Sequence, residues 1–160
     1  IELKTAVLLG ASLKIGAITG GALQDDAEAL FEFGKYLGIT FQLQDDYLDL
    51  YGNPEKFGKQ VGGDILANKK TYLIIKALEL AIDEDYDLLN ELMRNASVDP
   101  DEKVKRVRAI FDSLGIPGLV KTETSFFAGK AFACLDQVNI AGERKEVLRE
   151  FAEKLLRREK

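Results

Sequence analysis

Apolar residues recur along the chain at the three- and four-residue spacing of amphipathic α-helices. Apolar and polar residues nowhere alternate over a run long enough to predict a sheet strand. We therefore predict an all-α fold of several helices, with residues 1–160 belonging to a single domain.

The first predicted helix spans residues 1–19 and ends at Gly20 and Gly21. Residues 5–23 are almost entirely apolar or small and approach the roughly 20 residues that cross a bilayer. Lys14 lies at the centre of this stretch, where a lysine costs about 2.5–3.5 kcal/mol of insertion free energy. We therefore predict a buried helix of a soluble protein, with no transmembrane segment and no signal peptide.

The second predicted helix begins at Asp25 and Asp26, whose negative charge suits a helix start, and runs to about Tyr51. A break near Gly38 would divide it into two closely coupled helices. Residues 52–68 hold four glycines and one proline and are predicted to form a loop. Further helices are predicted at about 69–82, 84–95, 100–114, 117–140 and 143–158.

The composition excludes several kinds of chemistry. The chain has 160 residues, 46% of them apolar, and a net charge of −5 that does not favour nucleic acid as a partner. It has no histidine, which excludes imidazole catalysis and histidine-bound zinc. Its one cysteine, Cys134, allows no internal disulfide and is typical of a cytoplasmic protein. Since the only methionine is Met93, Ile1 is not a natural start, and we expect a piece of a longer protein.

The most informative cluster of charges lies near the end of the second helix. At 100° per residue, Asp45, Asp46, Asp49 and Gln42 share a sector of about 100°, and apolar residues fill the opposite side except at Gln44. Such a helix belongs inside a bundle, so its aspartates would face a cleft. Because like charges repel, we expect a cation there, and oxygen donors favour Mg²⁺ or Mn²⁺. Mg²⁺ often completes its coordination with phosphate oxygens, so the cluster predicts metal-bridged phosphate binding.

A solvated acidic face is the alternative interpretation of this cluster, and the apolar remainder of the helix argues against it. A second acidic cluster, which begins at Asp83, offers a comparison. It resembles the start of a calcium loop, but Leu88 stands where that loop needs glycine and Arg94 where it needs glutamate. We interpret the second cluster as a solvated helix start.

Several lysines are candidates for contact with phosphate. Lys59 lies in the predicted loop and Lys69 near the next helix start, although the glycines around them lack the spacing of a P-loop. Taken singly, each is more often a solvated surface residue. Lys4, followed by Thr5, stands in an otherwise apolar helix, so its charge must reach solvent, a partner or a ligand.

Taken in order, these motifs resemble the C-terminal half of a trans-isoprenyl diphosphate synthase, the family of farnesyl, geranylgeranyl and polyprenyl diphosphate synthases. The ordered set is Lys4-Thr5, Phe41-Gln42, Asp45-Asp46-Tyr47-Leu48-Asp49, Gly58-Lys59, Asp64 and Lys69-Lys70-Thr71. It covers about residues 1–80, and the remainder resembles the family only in being helical. The resemblance implies a helical bundle of the isoprenoid synthase type, of which this chain is an incomplete, C-terminal part.

The resemblance also implies a role for each motif. Asp45, Asp46 and Asp49 match the second aspartate-rich motif, which together with a first one holds three Mg²⁺ ions around an allylic diphosphate. The Lys4-Thr5 pair would contact this diphosphate, Gln42 would line the cavity near the reacting carbons, and two later lysines would neutralise the leaving group. The implied substrate-binding and catalytic residues are Lys4, Thr5, Gln42, Lys59 and Lys69, with Asp64 supporting the metal ligands. The family's first aspartate-rich motif and its isopentenyl diphosphate site lie upstream and are not in this chain.

The implied reaction is prenyl transfer, in which the ionised allylic diphosphate is attacked by isopentenyl diphosphate. The family also implies a homodimer with its contact near the first helix, whose residues 6–13 carry no charge. Assayed alone, the 160-residue chain is expected to fold and to be inactive. Two alternatives stay open: a terpene cyclase or squalene-type synthase, and a noncatalytic helical subunit that regulates a partner synthase.

Overall fold

The computed structural model describes residues 1–53, 61–95 and 97–157. Within these ranges it contains eight α-helices and no strand, which confirms the predicted all-α fold. The helices are α1 (Val7–Thr19), α2 (Gln24–Tyr51), α3 (Gly63–Leu66), α4 (Tyr72–Leu80), α5 (Asp83–Arg94), α6 (Pro100–Ser113), α7 (Ile116–Gln137) and α8 (Gly142–Leu156). A wider π-helical turn at Glu2–Ala6 leads into α1.

Of the two alternatives for this segment, the single helix is confirmed and the pair broken near Gly38 is excluded, because α2 is one helix from Gln24 to Tyr51. Gly38 instead allows a close approach to the turn before α1. A Cβ atom at Gly38 would lie 2.7 Å from the Cα of Ala6, and one at Gly34 would lie 2.9 Å from the Cα of Gly10. These glycines permit helix contact where a side chain would not fit.

The predicted loop 52–68 is wrong in part, because α3 occupies residues Gly63–Leu66. A helix of four residues is too short to be stable by its own propensity, so its contacts with the rest of the chain must stabilise it. The preceding residues 54–60, which include the predicted phosphate ligand Lys59, lie outside the described residues.

The later helices begin where the sequence places good capping residues. Thr71 caps α4, and its hydroxyl oxygen accepts the N–H of Ile74. Asp99 caps α6, and its Oδ1 accepts two main-chain N–H groups at 3.1 Å. Pro100 follows at the first helical position, where its missing N–H has no cost.

The described chain divides into two compact units. The first contains Ile1–Gln44 and the described residues from 122 onward, and the second contains Asp45–Lys121. The core of the first unit is formed by Leu30, Phe33, Leu37, Ala131, Leu135, Val138 and Ala152. In the second unit α6 contacts α3, α4 and α5, and its Val107, Ile110 and Phe111 are buried.

The prediction that the first helix is buried is wrong for most of α1. Gly10 is the one residue of α1 that is fully buried. No described residue covers the face of α1 that points away from Gly10. Large apolar side chains that are exposed in this region belong to Leu3, Leu8, Ile15, Ile18 and Leu23. Lys14 forms an ion pair with Glu28 of α2. Among the described helices, none combines the length and apolar character that crossing a bilayer requires.

Candidate functional site

The three aspartates of the predicted cluster lie in the last two turns of α2. Asp46 is buried, with 7% of its surface exposed, and Asp45 and Asp49 are partly buried. The cluster is therefore not a fully solvated acidic face. The comparison cluster differs, because Asp83 and Asp87 are exposed at the start of α5.

Asp49 is held by the segment around α3. Its Oδ2 accepts the main-chain N–H of Asp64 at 3.0 Å, and its main-chain carbonyl accepts the N–H of Gly62 at 2.8 Å. Gly62 has a φ of +77°, which an L side chain rarely adopts. A Cβ atom at Gly63 would lie 3.3 Å from Asp49 Oδ1. Two glycines thus let the main chain approach the carboxylate and bond to it.

Burial raises the pKa of Asp49 above its ordinary value, and the nearby carboxylates of Asp64 and Asp45 raise it further. The N–H of Asp64 and the charge of Lys69 act in the opposite direction and do not outweigh the burial. By formal charge, the three carboxylates of Asp45, Asp49 and Asp64 exceed the single ammonium group of Lys69. A cation bound among them would lower this pKa and relieve the repulsion.

We call residues 62–69 the α3 turn. Within this turn, Asp64 and Lys69 contact each other through both their side chains and their main chains. Lys69 Nζ lies 2.5 Å from Asp64 Oδ1, and the main-chain N–H of Lys69 donates to the carbonyl of Asp64 at 2.9 Å. The hydrogen bond to Asp64 raises the pKa of Lys69, so this lysine stays charged. Because 56% of the Lys69 side chain is exposed, it is accessible to an anionic ligand while paired with Asp64.

The side chain of Asp46, on α2, lies beside the start of α4. Its Oδ2 is 3.4 Å from the main-chain nitrogen of Tyr72, the first residue of that helix. Main-chain N–H groups at a helix start carry partial positive charge, which favours a neighbouring carboxylate. Within the second unit the structure therefore brings Asp49, Asp64 and Lys69 together, and it places Asp46 beside the start of α4.

Thr5 and Gln42 come together in the first unit. The Thr5 hydroxyl donates a hydrogen bond to Gln42 Oε1 at 3.1 Å, although the two residues are 37 positions apart in sequence. Lys4, the residue before Thr5, is exposed. Gln42 precedes Asp45 by three residues along α2.

The described residues contain no group of three acidic or cysteine side chains that converges on one metal position. Two of the carboxylates face main-chain N–H groups, and Asp64 faces Lys69. This arrangement does not suit a cage made by protein ligands alone. It does suit Mg²⁺, which commonly takes one or two carboxylates and fills its other positions with water and phosphate oxygens.

Asn68 and Lys103, which were not among the predicted site residues, also contribute to the α3 turn. Lys103 Nζ donates a hydrogen bond to Asn68 Oδ1 at 2.6 Å. Asn68 has a φ of +50°, a conformation that asparagine tolerates better than most residues. The asparagine after a short apolar run was a usable signal for a turn. Lys103 gave no signal, because it stands in a charged helix in which lysine normally faces solvent.

Comparisons with known proteins give a consistent result. The chain matches the family model described as Polyprenyl synthetase over residues 1–111. It is 38% identical over 148 residues to the short chain isoprenyl diphosphate synthase of Methanothermobacter thermautotrophicus. The aligned residues cover 92% of this chain and 41% of that protein.

Two solved structures are also similar. One is a geranylgeranyl pyrophosphate synthase, with a TM-score of 0.88 and 37% identity over 100% of this chain and 50% of that one. The other is a geranylgeranyl pyrophosphate synthase from Corynebacterium glutamicum complexed with isoprenyl diphosphate and magnesium. Its TM-score is 0.85, with 29% identity over 98% of this chain and 44% of that one. The chain thus spans half or less of the length of these proteins.

Proposed function

The chain belongs to the polyprenyl synthetase family, and from this premise we propose that it supplies the part of a prenyltransferase that binds an allylic diphosphate. The observation that carries the proposal is the position of Asp45, Asp46 and Asp49 at the end of α2, beside the pair formed by Asp64 and Lys69. A structurally similar relative holds both isoprenyl diphosphate and magnesium, which are the ligands proposed for this site.

The proposed reaction condenses an allylic diphosphate with isopentenyl diphosphate. The allylic C–O bond breaks, and its electron pair leaves with the diphosphate. The C=C bond of isopentenyl diphosphate then attacks the allylic carbon, and this leaves a new carbocation. An adjacent C–H bond breaks, its electron pair forms the new C=C bond, and the proton passes to the released diphosphate. These steps require stabilisation of a departing anion and need no imidazole, in agreement with the absence of histidine.

In this proposal Asp45, Asp46 and Asp49 hold Mg²⁺. When bound, Mg²⁺ neutralises the charge that develops on the departing diphosphate. Lys69, which remains charged beside Asp64, donates to phosphate oxygens, and we assign the same role to Lys4.

Two further assignments come from the family resemblance. Lys59 is a second lysine for the leaving group. The hydrogen bond from the Thr5 hydroxyl fixes the orientation of the Gln42 amide, which we assign to the cavity wall near the reacting carbons.

We further propose that a second copy of the protein is its partner. The observation in favour is the exposed apolar face of α1, where Leu8 and Ile15 are 72% and 64% exposed and lie two turns apart. Exposed apolar surface of this kind is typical of an interaction site.

The test is a prenyl-transfer assay on the protein that carries this sequence, with Mg²⁺, an allylic diphosphate and labelled isopentenyl diphosphate. Asp45→Asn should lower turnover at least about a hundredfold, because it removes a ligand that acts on the departing charge. Asp87→Asn is the matched control, since Asp87 is exposed in α5, and should leave turnover unchanged.

Three results would contradict the proposal. Equal effects of the two substitutions would mean that the aspartate cluster has no special role. A cyclised product from the allylic diphosphate alone would indicate a terpene cyclase. No product in any condition, with a partner synthase stimulated by this protein, would indicate a noncatalytic subunit.

A further inference from the structure

We propose that Lys103 is a positioning residue that holds the α3 turn, and with it Lys69, in the geometry that a diphosphate needs. The link to diphosphate rests on the proposed function. The part that concerns the shape of the turn does not, and it can be tested separately.

The first observation is the burial of Lys103. Only 5% of its surface is exposed, and among the described residues it is the only buried lysine or arginine. Its Nζ reaches Asn68 Oδ1 at 2.6 Å, so the ammonium group is bonded to a neutral amide oxygen. Burying an ammonium group is costly, and an apolar residue would serve better if packing alone were required. The hydrogen bond to Asn68 is therefore the specific contribution of a lysine at this position.

The second observation is the conformation of Asn68. Its φ of +50° places it in the left-handed region, directly after the last turn of α3. The N–H of Asn68 donates to the carbonyl of Ile65 at 3.1 Å, and the N–H of Lys69 donates to the carbonyl of Asp64 at 2.9 Å. These two bonds form a Schellman motif, which requires a left-handed residue at this position. Glycine is the usual choice there, and asparagine is the common substitute.

The third observation is that α6 contacts both ends of the α3 turn. Next to Lys103, Val104 packs at the beginning of the turn, where a Cβ atom on Gly62 would lie 2.6 Å from Val104 Cγ2. Lys103 holds the end of the turn through Asn68. Between these two contacts lies Asp64, which bonds to Asp49 and to Lys69.

The positioning role follows from this connection. Without the bond from Lys103, the side chain of Asn68 is free to rotate, and the left-handed conformation loses a restraint. The Schellman bonds would then open more often, and Lys69 would sample more positions. A ligand would have to order the turn before binding to it, which lowers its apparent affinity.

Amide hydrogen exchange tests the effect on the turn without any ligand. In Lys103→Met, which keeps an unbranched apolar stem and loses the ammonium donor, the Lys69 amide should exchange at least about fivefold faster than in the wild type. Lys105→Met is the control on the exposed side of α6 and should leave that rate unchanged. In the double variant Lys103→Met/Asn68→Gly the wild-type rate should return, because glycine takes the left-handed conformation without help. An unchanged rate in Lys103→Met, or no recovery in the double variant, would overturn the proposal.

Calorimetric titration with inorganic pyrophosphate and Mg²⁺ tests the effect on binding. Lys103→Met should weaken the affinity about tenfold, and Asn68→Gly in the same chain should restore it. Weaker binding that the glycine does not restore would mean that Lys103 contacts the phosphate directly, and the positioning role would be wrong.

The same titration separates the two proposals. If Lys69→Ala leaves the affinity for pyrophosphate unchanged, the proposed function fails at this residue, while the exchange rates still decide whether Lys103 holds the turn. Thermal unfolding of each variant shows whether a change in affinity reflects global loss of structure.

Discussion

The main-chain N–H of Asp64 donates a hydrogen bond to Asp49 Oδ2 at 3.0 Å, and this bond joins the last turn of α2 to the α3 turn. It gives Asp49 a structural contact in addition to its proposed role as a metal ligand. Asp49 is also the member of the cluster whose pKa is raised by burial. Stability and function therefore place opposite demands on this carboxylate.

We predict that Asp49→Asn raises the free energy of unfolding at pH 7, by less than about 1 kcal/mol since water screens a partly exposed carboxylate. The asparagine keeps an acceptor for Asp64 and removes a charge that burial disfavours.

The increase in the free energy of unfolding that Asp49→Asn produces should depend on pH. Because the folded-state pKa of Asp49 lies above its unfolded value, ionisation of the wild type lowers its stability as pH rises through the folded pKa. The difference between variant and wild type should be present at pH 7 and vanish below the ordinary aspartate pKa. Urea unfolding of both proteins at pH 7 and at a pH below the ordinary aspartate pKa measures this difference. A variant less stable at pH 7 would contradict this prediction.

Lys69→Ala should weaken binding of inorganic pyrophosphate by about 10- to 100-fold in the presence of Mg²⁺, since a charge-assisted hydrogen bond contributes about 1.5–3 kcal/mol. We expect a similar loss from Lys4→Ala. Lys105→Ala, on the exposed side of α6, is the control and should bind as the wild type does. Isothermal titration calorimetry provides the comparison, and equal losses in all three variants would show that only net charge matters.

Gly38→Ala should destabilise the protein by about 1–3 kcal/mol, the usual range for an added group in a packed contact. The new Cβ atom would lie 2.7 Å from the Cα of Ala6, so the turn before α1 would have to move. Gly16→Ala is the matched control in a helix, because a Cβ atom there would meet nothing within 4 Å, and it should be neutral or stabilising. Similar free energies of unfolding for the two variants would contradict a close contact at Gly38.

The exposed face of α1 should cause self-association. We expect the wild-type chain to sediment as a dimer or larger species at micromolar concentration, and Leu8→Glu/Ile15→Glu to sediment as a monomer. Val147→Glu is the control, because Val147 is 69% exposed on α8 and Leu8 is 72% exposed on α1. A monomeric wild type, or dissociation caused equally by the control, would argue against this face as the interface.

The sequence predicted those features that depend on local signals. The beginning of α6 follows from Asp99 and Pro100, because the Asp99 side chain accepts main-chain N–H groups in the first turn. The helix predicted from about residue 69 begins later, at Tyr72, where Thr71 caps it. The aspartate sector follows from helical periodicity alone, because α2 is regular through Asp45 and Asp49.

The features that were missed depend on contacts distant in sequence. A glycine in a helical pattern can indicate either a break of the helix or a close approach of another segment. Gly38 could be assigned to a close approach only from its contact with Ala6, which is distant in sequence. The α3 turn is too short to show a periodic pattern, and Asp64 acquires its partner 15 residues away in α2. Lys103 and Asn68 are 35 positions apart, and no spacing rule connects them.

The most direct measurement is a calorimetric titration of the protein with inorganic pyrophosphate, first in millimolar Mg²⁺ and then in excess chelator. Mg²⁺ has low affinity for one or two carboxylates without phosphate ligands, so metal and pyrophosphate should bind together. We expect heat of binding only when both are present, its loss in Asp45→Asn, and its retention in the control Asp87→Asn. Pyrophosphate binding that survives chelation, or that Asp45→Asn does not change, would contradict a metal-bridged diphosphate site at the end of α2.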